Sequence, residues 1–150
     1  MRNKKGFTLI ELLVVIAIIG LLATLAIVAL QNARQKSRDA KRVSDIKQMQ
    51  TSLDLFYSDN NTYPAVAAAI QLGQATTDAL CGGGFVAAGD ASCTADATYM
   101  DRVPADPVDN APLIYQYTGS ATTFSITFEL EGATGGLAAG AHTASPAGIQ

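Results

Sequence analysis

Phe7 to Leu30 reads FTLIELLVVIAIIGLLATLAIVAL, 24 positions in which Glu11 is the only charge. Wound as a helix at about 1.5 Å per residue, this run is roughly 36 Å long, enough to cross a hydrocarbon core of about 30 Å. The whole chain has 150 residues. That length offers one modest core and no room to bury a helix apolar on every side. A plain soluble enzyme is thereby excluded. The run is also too long for the apolar stretch of an ordinary secretory signal, and no A-x-A pattern follows it, since Ala33 precedes Arg34 and Gln35. It reads as a stem kept on the protein.

Outward from the stem, the net charge of −3 separates by region. The leader MRNKKG carries Arg2, Lys4 and Lys5 and no acid. Residues 31–47 hold six bases (Arg34, Lys36, Arg38, Lys41, Arg42, Lys47) and two acids (Asp39, Asp45), a local +4. Residues 48–150 contain ten acids and one base, Arg102, a local −9. An acidic head argues against direct nucleic-acid binding, which needs clustered Lys and Arg. The basic neck fits either a solvated helix face or a strip that docks anionic lipid, nucleic acid or the acidic surface of another subunit.

Past Leu30 the helical pattern continues without Pro or Gly to about Tyr57, giving one helix of about 50 residues. Val43, Ile46, Met49 (or Gln50), Leu53 and Phe56 recur at spacings of three and four, so this half is amphipathic and must cover a sheet. Ser58-Asp59-Asn60-Asn61 and Pro64 supply the stop. A short helical piece is expected over Ala65–Leu72, and a loop over the rest of 65–99 around Gly82-Gly83-Gly84. Leu113–Thr118, a turn at Gly119-Ser120 and Thr122–Glu131 form a hairpin pattern, in which Phe124, Ile126, Phe128 and Leu130 alternate with polar residues. Leu137–Thr143 is a candidate third strand, and the tail SPAGIQ is expected to fray. The fold class is α+β: a long N-terminal helix, an apolar stem that becomes amphipathic, packed on a small C-terminal antiparallel sheet.

Gly6-Phe7-Thr8-Leu9-Ile10-Glu11-Leu12-Leu13-Val14-Val15, behind its basic leader, resembles the amino terminus of type IV pilins and pseudopilins. Leu53–Pro64, LDLFYSDNNTYP, is similar to the matching stretch of major pseudopilins. The resemblance implies that a prepilin peptidase cuts between Gly6 and Phe7 and N-methylates Phe7. It also implies that Glu11 meets the terminal amine of a neighbouring subunit, with a pair inside one chain as the competing reading. The implied domains are a cleaved leader (1–6), a transmembrane and filament-core helix (7–30), an amphipathic helix (31–58) and a head (59–150). The implied partners are further copies of the chain, the peptidase, an assembly platform with its ATPase, and the cytoplasmic membrane. Six bases after the stem against three before it would by themselves keep the head inside; the resemblance places it outside. Many relatives carry a proline where this chain has Val28, which leaves Gly20 as the one helix-weakening residue in the stem. The first reading is a structural subunit of a type IV pilus-like filament, with a type II secretion pseudopilin and a membrane-anchored extracytoplasmic binding protein as the alternatives.

For an exported head, Cys81 and Cys93 are expected to form one disulfide. Two cysteines and the single His142 do not make a zinc site. No catalytic triad surrounds His142, and Gly82–Gly84 lacks the Lys-Ser/Thr of a phosphate loop, so the chain is read as a non-enzyme with no cofactor or small-molecule substrate. Asp101, Asp106, Asp109 and Asn110 are oxygen ligands that match no calcium-loop spacing. Major pseudopilins carry a calcium site in an acidic C-terminal loop, but Gly132–Gln150 contains no Asp or Glu, so that site is not carried over. Asn60-Asn61-Thr62 matches a glycosylation acceptor.

Overall fold

The computed structural model describes residues 6–91, 93 and 97–150; Arg2, Lys4 and Lys5 of the leader lie outside them. The chain divides into two compact units, one ending at Gln35 and one spanning Lys36–Gln150. A single helix, α1 (Leu9–Asn60), contributes to both and is continuous through Gly20 and Val28. It outlasts the expected end at Tyr57 by three residues. Asn61, at φ 55°, then takes the left-handed conformation and donates its amide to Tyr57 O at 2.8 Å, closing the last turn.

In the Lys36–Gln150 unit, α1 packs on an antiparallel sheet. Its strands are β1 (Val66–Gln71), β5 (Gln116–Gly119), β6 (Phe124–Leu130), β7 (Gly140–Ser145) and β8 (Gly148–Ile149), in that spatial order. Along β6, Phe124, Ile126, Phe128 and Leu130 are buried and the residues between them are more exposed, as alternation requires. Ile46, Met49, Leu53 and Phe56 of α1 meet them in one core with Tyr115 and Tyr117, while Val43 packs at its margin. Burial raises both tyrosine hydroxyls above their ordinary range. Each finds an acceptor, Asp45 Oδ2 at 3.2 Å and Pro64 O at 2.8 Å.

Several elements differ from expectation. The piece at 65–72 is the strand β1, not a helix. An isolated helix of about two turns has little stability of its own, and the edge of β5 offers backbone partners instead. The stretch expected as loop contains a second sheet of β3 (Gly84–Val86), β2 (Ala79–Cys81) and β4 (Thr98–Met100), with β2 buried along its length. The ring of Tyr99 in β4 meets that of Phe56 at 5.1 Å in a tilted contact, which fastens this sheet to the helix. The hairpin strands are shorter than the pattern suggested, and the third strand begins at Gly140 because a turn occupies Thr134–Leu137. The tail does not fray. Pro146-Ala147 turns it into β8, and Gln150 exchanges two backbone hydrogen bonds with Thr143 at 2.9 and 3.0 Å.

Candidate functional site

The start of the stem is built by one turn of chain. Gly6, Phe7 and Thr8 precede the helix, and Thr8 is its N-cap. The Glu11 amide donates to Thr8 Oγ1 at 3.3 Å, while Glu11 Oε2 accepts the Thr8 amide at 2.9 Å and the Thr8 hydroxyl at 2.7 Å. This reciprocal pair is a capping box, and it satisfies donors that a helix start otherwise leaves open. The T-x-x-E spacing was a legible signal that the sequence reading passed over. Glu11 forms no ion pair among the described residues. Every residue from Gly6 to Arg34 is exposed, including Leu9 at 79% and Leu21 at 64%. This part of α1 is long and apolar enough to cross a membrane.

The neck is not one uniform basic face. Arg34, Lys36, Lys41 and Lys47 are exposed, whereas Arg42 is wholly buried and Arg38 partly so. Arg42 grips Asp106 with two bonds, Nε to Oδ2 at 2.6 Å and Nη2 to Oδ1 at 3.0 Å. Its Nη1 donates to Asp39 Oδ1 and to Glu131 Oε1, both at 2.7 Å. Arg38 Nε reaches Glu131 Oε1 at 2.7 Å. Burial alone would weaken the Arg42 proton, but its bonds to Asp106, Glu131 and Asp39 prevail and raise its pKa. The bond from Arg38, with help from Arg42, holds the Glu131 carboxyl down to about 2. Next to them, burial pushes the Asp45 carboxyl up. The solvated-face reading therefore fails for two of the six bases, and none of these four partnerships was foreseen.

The acidic loop has other employment than holding calcium. Asp106 serves Arg42, and Asp109 accepts from Gln71 Nε2 at 2.8 Å and Gln74 Nε2 at 3.1 Å. Among the described residues no group of three His, Cys, Asp or Glu is arranged to hold a metal. Asn60 Nδ2 donates to Phe56 O at 2.9 Å and lies 3.0 Å from the Tyr99 hydroxyl, so the amide that glycosylation would need is engaged. Cys81 and Cys93 are disulfide-bonded across 12 positions, with Cα atoms 5.1 Å apart. The ring nitrogens of His142 face only carbonyl oxygens, those of Gln150 and Ala138.

Residues 1–27 match a family model described as the prokaryotic N-terminal methylation motif. Residues 29–143 match type II secretion system protein G. The chain belongs to that family. Protein G proteins are pseudopilins of the type IV pilin family, so the expected recognition holds and the chain is a pilin-like structural subunit. The type II secretion system core protein G of Aeromonas hydrophila is 37% identical over 109 residues, 73% of this chain and 71% of its own. The protein G of Vibrio cholerae is 30% identical over 94% of this chain and 90% of its own. The type IV wide pilus major component PilA4 of Thermus thermophilus is 44% identical over 80 residues, 53% of this chain and 61% of its own. No solved structure matches significantly.

Proposed function

We propose that this protein is made as a precursor, cut between Gly6 and Phe7, and polymerised into a filament of the type IV pilus kind through residues 7–30. The observation that carries this reading is the contrast within α1. Residues 6–34 are exposed along their whole length, while the head from Lys36 onward buries its own core. The hydrophobic effect first holds the stem in lipid and then in a bundle of identical stems, with heads outside. Glu11, the sole charge in the run, meets the Phe7 amine of a neighbouring subunit, since a close pair recovers much of the cost of each buried charge. Peptidase, platform and ATPase are the partners this requires, and the reaction is assembly and not catalysis.

Mass spectrometry of the membrane form tests the cut, which requires an amino terminus at methylated Phe7. A membrane-anchored binding protein would keep residues 1–6. A periplasmic reporter fused after Gln150 tests on which side the head lies. The protein G match over the head favours a second reading, a secretion pseudopilus, and the wide-pilus relative favours a surface pilus. Deletion separates them: loss of exoprotein release marks the pseudopilus, and loss of surface filaments marks the pilus.

A further inference from the structure

The two halves of the disulfide occupy unlike surroundings. Cys81 ends β2, the middle strand of the second sheet, where it pairs with Gly84 of β3 and with Thr98 of β4. It is 0% exposed, and Ala79 and Leu80 in the same strand are each 1% exposed. Its sulfur lies 4.0 Å from the Thr98 hydroxyl. Cys93 stands outside both sheets and is partly exposed. Contacts other than the disulfide seat this sheet on the core. Phe85 of β3 meets Tyr117 at 4.7 Å, and Tyr99 of β4 meets Phe56. The burial of Cys81 therefore belongs to the sheet and not to the bond.

We propose that the bond forms in a fixed order: Cys93 is the entry thiol that meets an external disulfide oxidant, and Cys81 is the resolving thiol that meets only Cys93. Exchange needs a thiolate that can reach the disulfide it attacks, so access decides which thiol meets the oxidant. The Cys93 thiolate attacks one sulfur of the oxidant; a Cys93–oxidant bond forms, the oxidant's own disulfide breaks, and its other sulfur leaves as a thiolate. The Cys81 thiolate then attacks the Cys93 sulfur, and the remaining oxidant sulfur leaves as the second thiolate. Two protein thiols are oxidised to one disulfide, the oxidant is reduced to two thiols, and the two protons end on the released sulfurs. With Cα atoms 5.1 Å apart in the bonded form, the second step is intramolecular. The reverse order would require β2 to part from both neighbouring strands before an oxidant reached Cys81. The inference concerns the head alone and does not depend on filament assembly.

The test uses the full chain in detergent micelles, reduced and then freed of reductant, with folding followed by the near-UV circular dichroism of its tyrosines. With substoichiometric iodoacetamide, mass spectrometry of the folded wild type should place the adduct on Cys93 at least about tenfold more often than on Cys81, the least that a local opening step would impose. In urea the two thiols should react within about threefold of each other, since the bias belongs to the fold. With glutathione disulfide as the oxidant, Cys81→Ala should accumulate the glutathione adduct of Cys93, while Cys93→Ala stays largely free of adduct over the same time. The wild type should pass on to the Cys81–Cys93 disulfide. Where Cys81→Ala loses its near-UV signal, the wild-type alkylation map decides. Equal labelling of the two thiols in the folded wild type, a preference for Cys81, a bias that persists in urea, or loss of the near-UV signal on reduction alone would each overturn the proposal.

Discussion

Two stretches of one helix answer to different surroundings. From Leu9 to Arg34, α1 leaves every side chain exposed; from Asp39 to Phe56, its inner face is buried. Propensity does not separate them, since both are uninterrupted helix. The first stretch is apolar on every side from Leu12 to Leu30 and lies exposed, while the second is satisfied within the chain. Substitutions in the stem should therefore register in assembly, and those in the head in folding.

The largest effect is expected at Glu11. Glu11→Ala should be processed and inserted normally yet yield no filaments by electron microscopy. Glu11→Gln is the sharper variant because glutamine still completes the capping box while removing the charge. Filaments from it at the normal level would mean that Glu11 serves the helix start and not a neighbour's amine. In the head, Leu53→Ala removes a fully buried side chain and should cost about 2–5 kcal/mol in denaturant unfolding. A change of that size in the exposed stem, as for Leu21→Ala, would erase the distinction between the two stretches. Replacing both Cys81 and Cys93 by serine should cost about 3 kcal/mol, checked by comparing melts with and without reductant.

Acid gives a gentler probe. Glu131 has its carboxyl lowered to about 2 from 4.5, so its contribution is present above pH 4.5 and lost as the pH falls toward 2. Asp45, raised by burial, works in the opposite sense, contributing below its unfolded pKa and losing that contribution as the pH rises through its folded pKa. Glu131→Gln should therefore flatten the acid limb of the stability profile; an unchanged limb would remove Glu131 from the account. The smallest effect belongs to Thr8→Ala, about 1 kcal/mol, read as faster amide exchange over Leu9–Leu12 with the head melt unchanged.

Local pattern made much of this legible. The apolar run, the stripe from Ile46 to Phe56 and the alternation of β6 depend on neighbours a few residues apart; the run is exposed helix, and the stripe and the strand turn their apolar residues into the core as expected. The Arg42 cluster depends on residues 64 and 89 positions away, which no local period reports. One hint was present. The three-and-four spacing of the stripe extends backward from Ile46 through Arg42 to Asp39, so charged residues occupied core-facing positions. Read that way, they announced buried partners. β1 was misread because Val-Ala-Ala-Ala-Ile has no decisive period, and only the free edge of β5 selects the strand. The amino-terminal motif was legible, but the hydrogen bonds Glu11 already makes were visible only in the fold.

Those bonds alter what docking would involve. Glu11 does not wait as a bare carboxylate; one of its oxygens already receives an amide and a hydroxyl from Thr8. A subunit that gives this oxygen to a neighbour's amine trades one set of donors for another, and such a trade is shallow because bonds broken offset bonds made. Joints formed by exchange can be undone by the reverse exchange. The atom that would admit a subunit to the filament would then also govern how readily that subunit leaves.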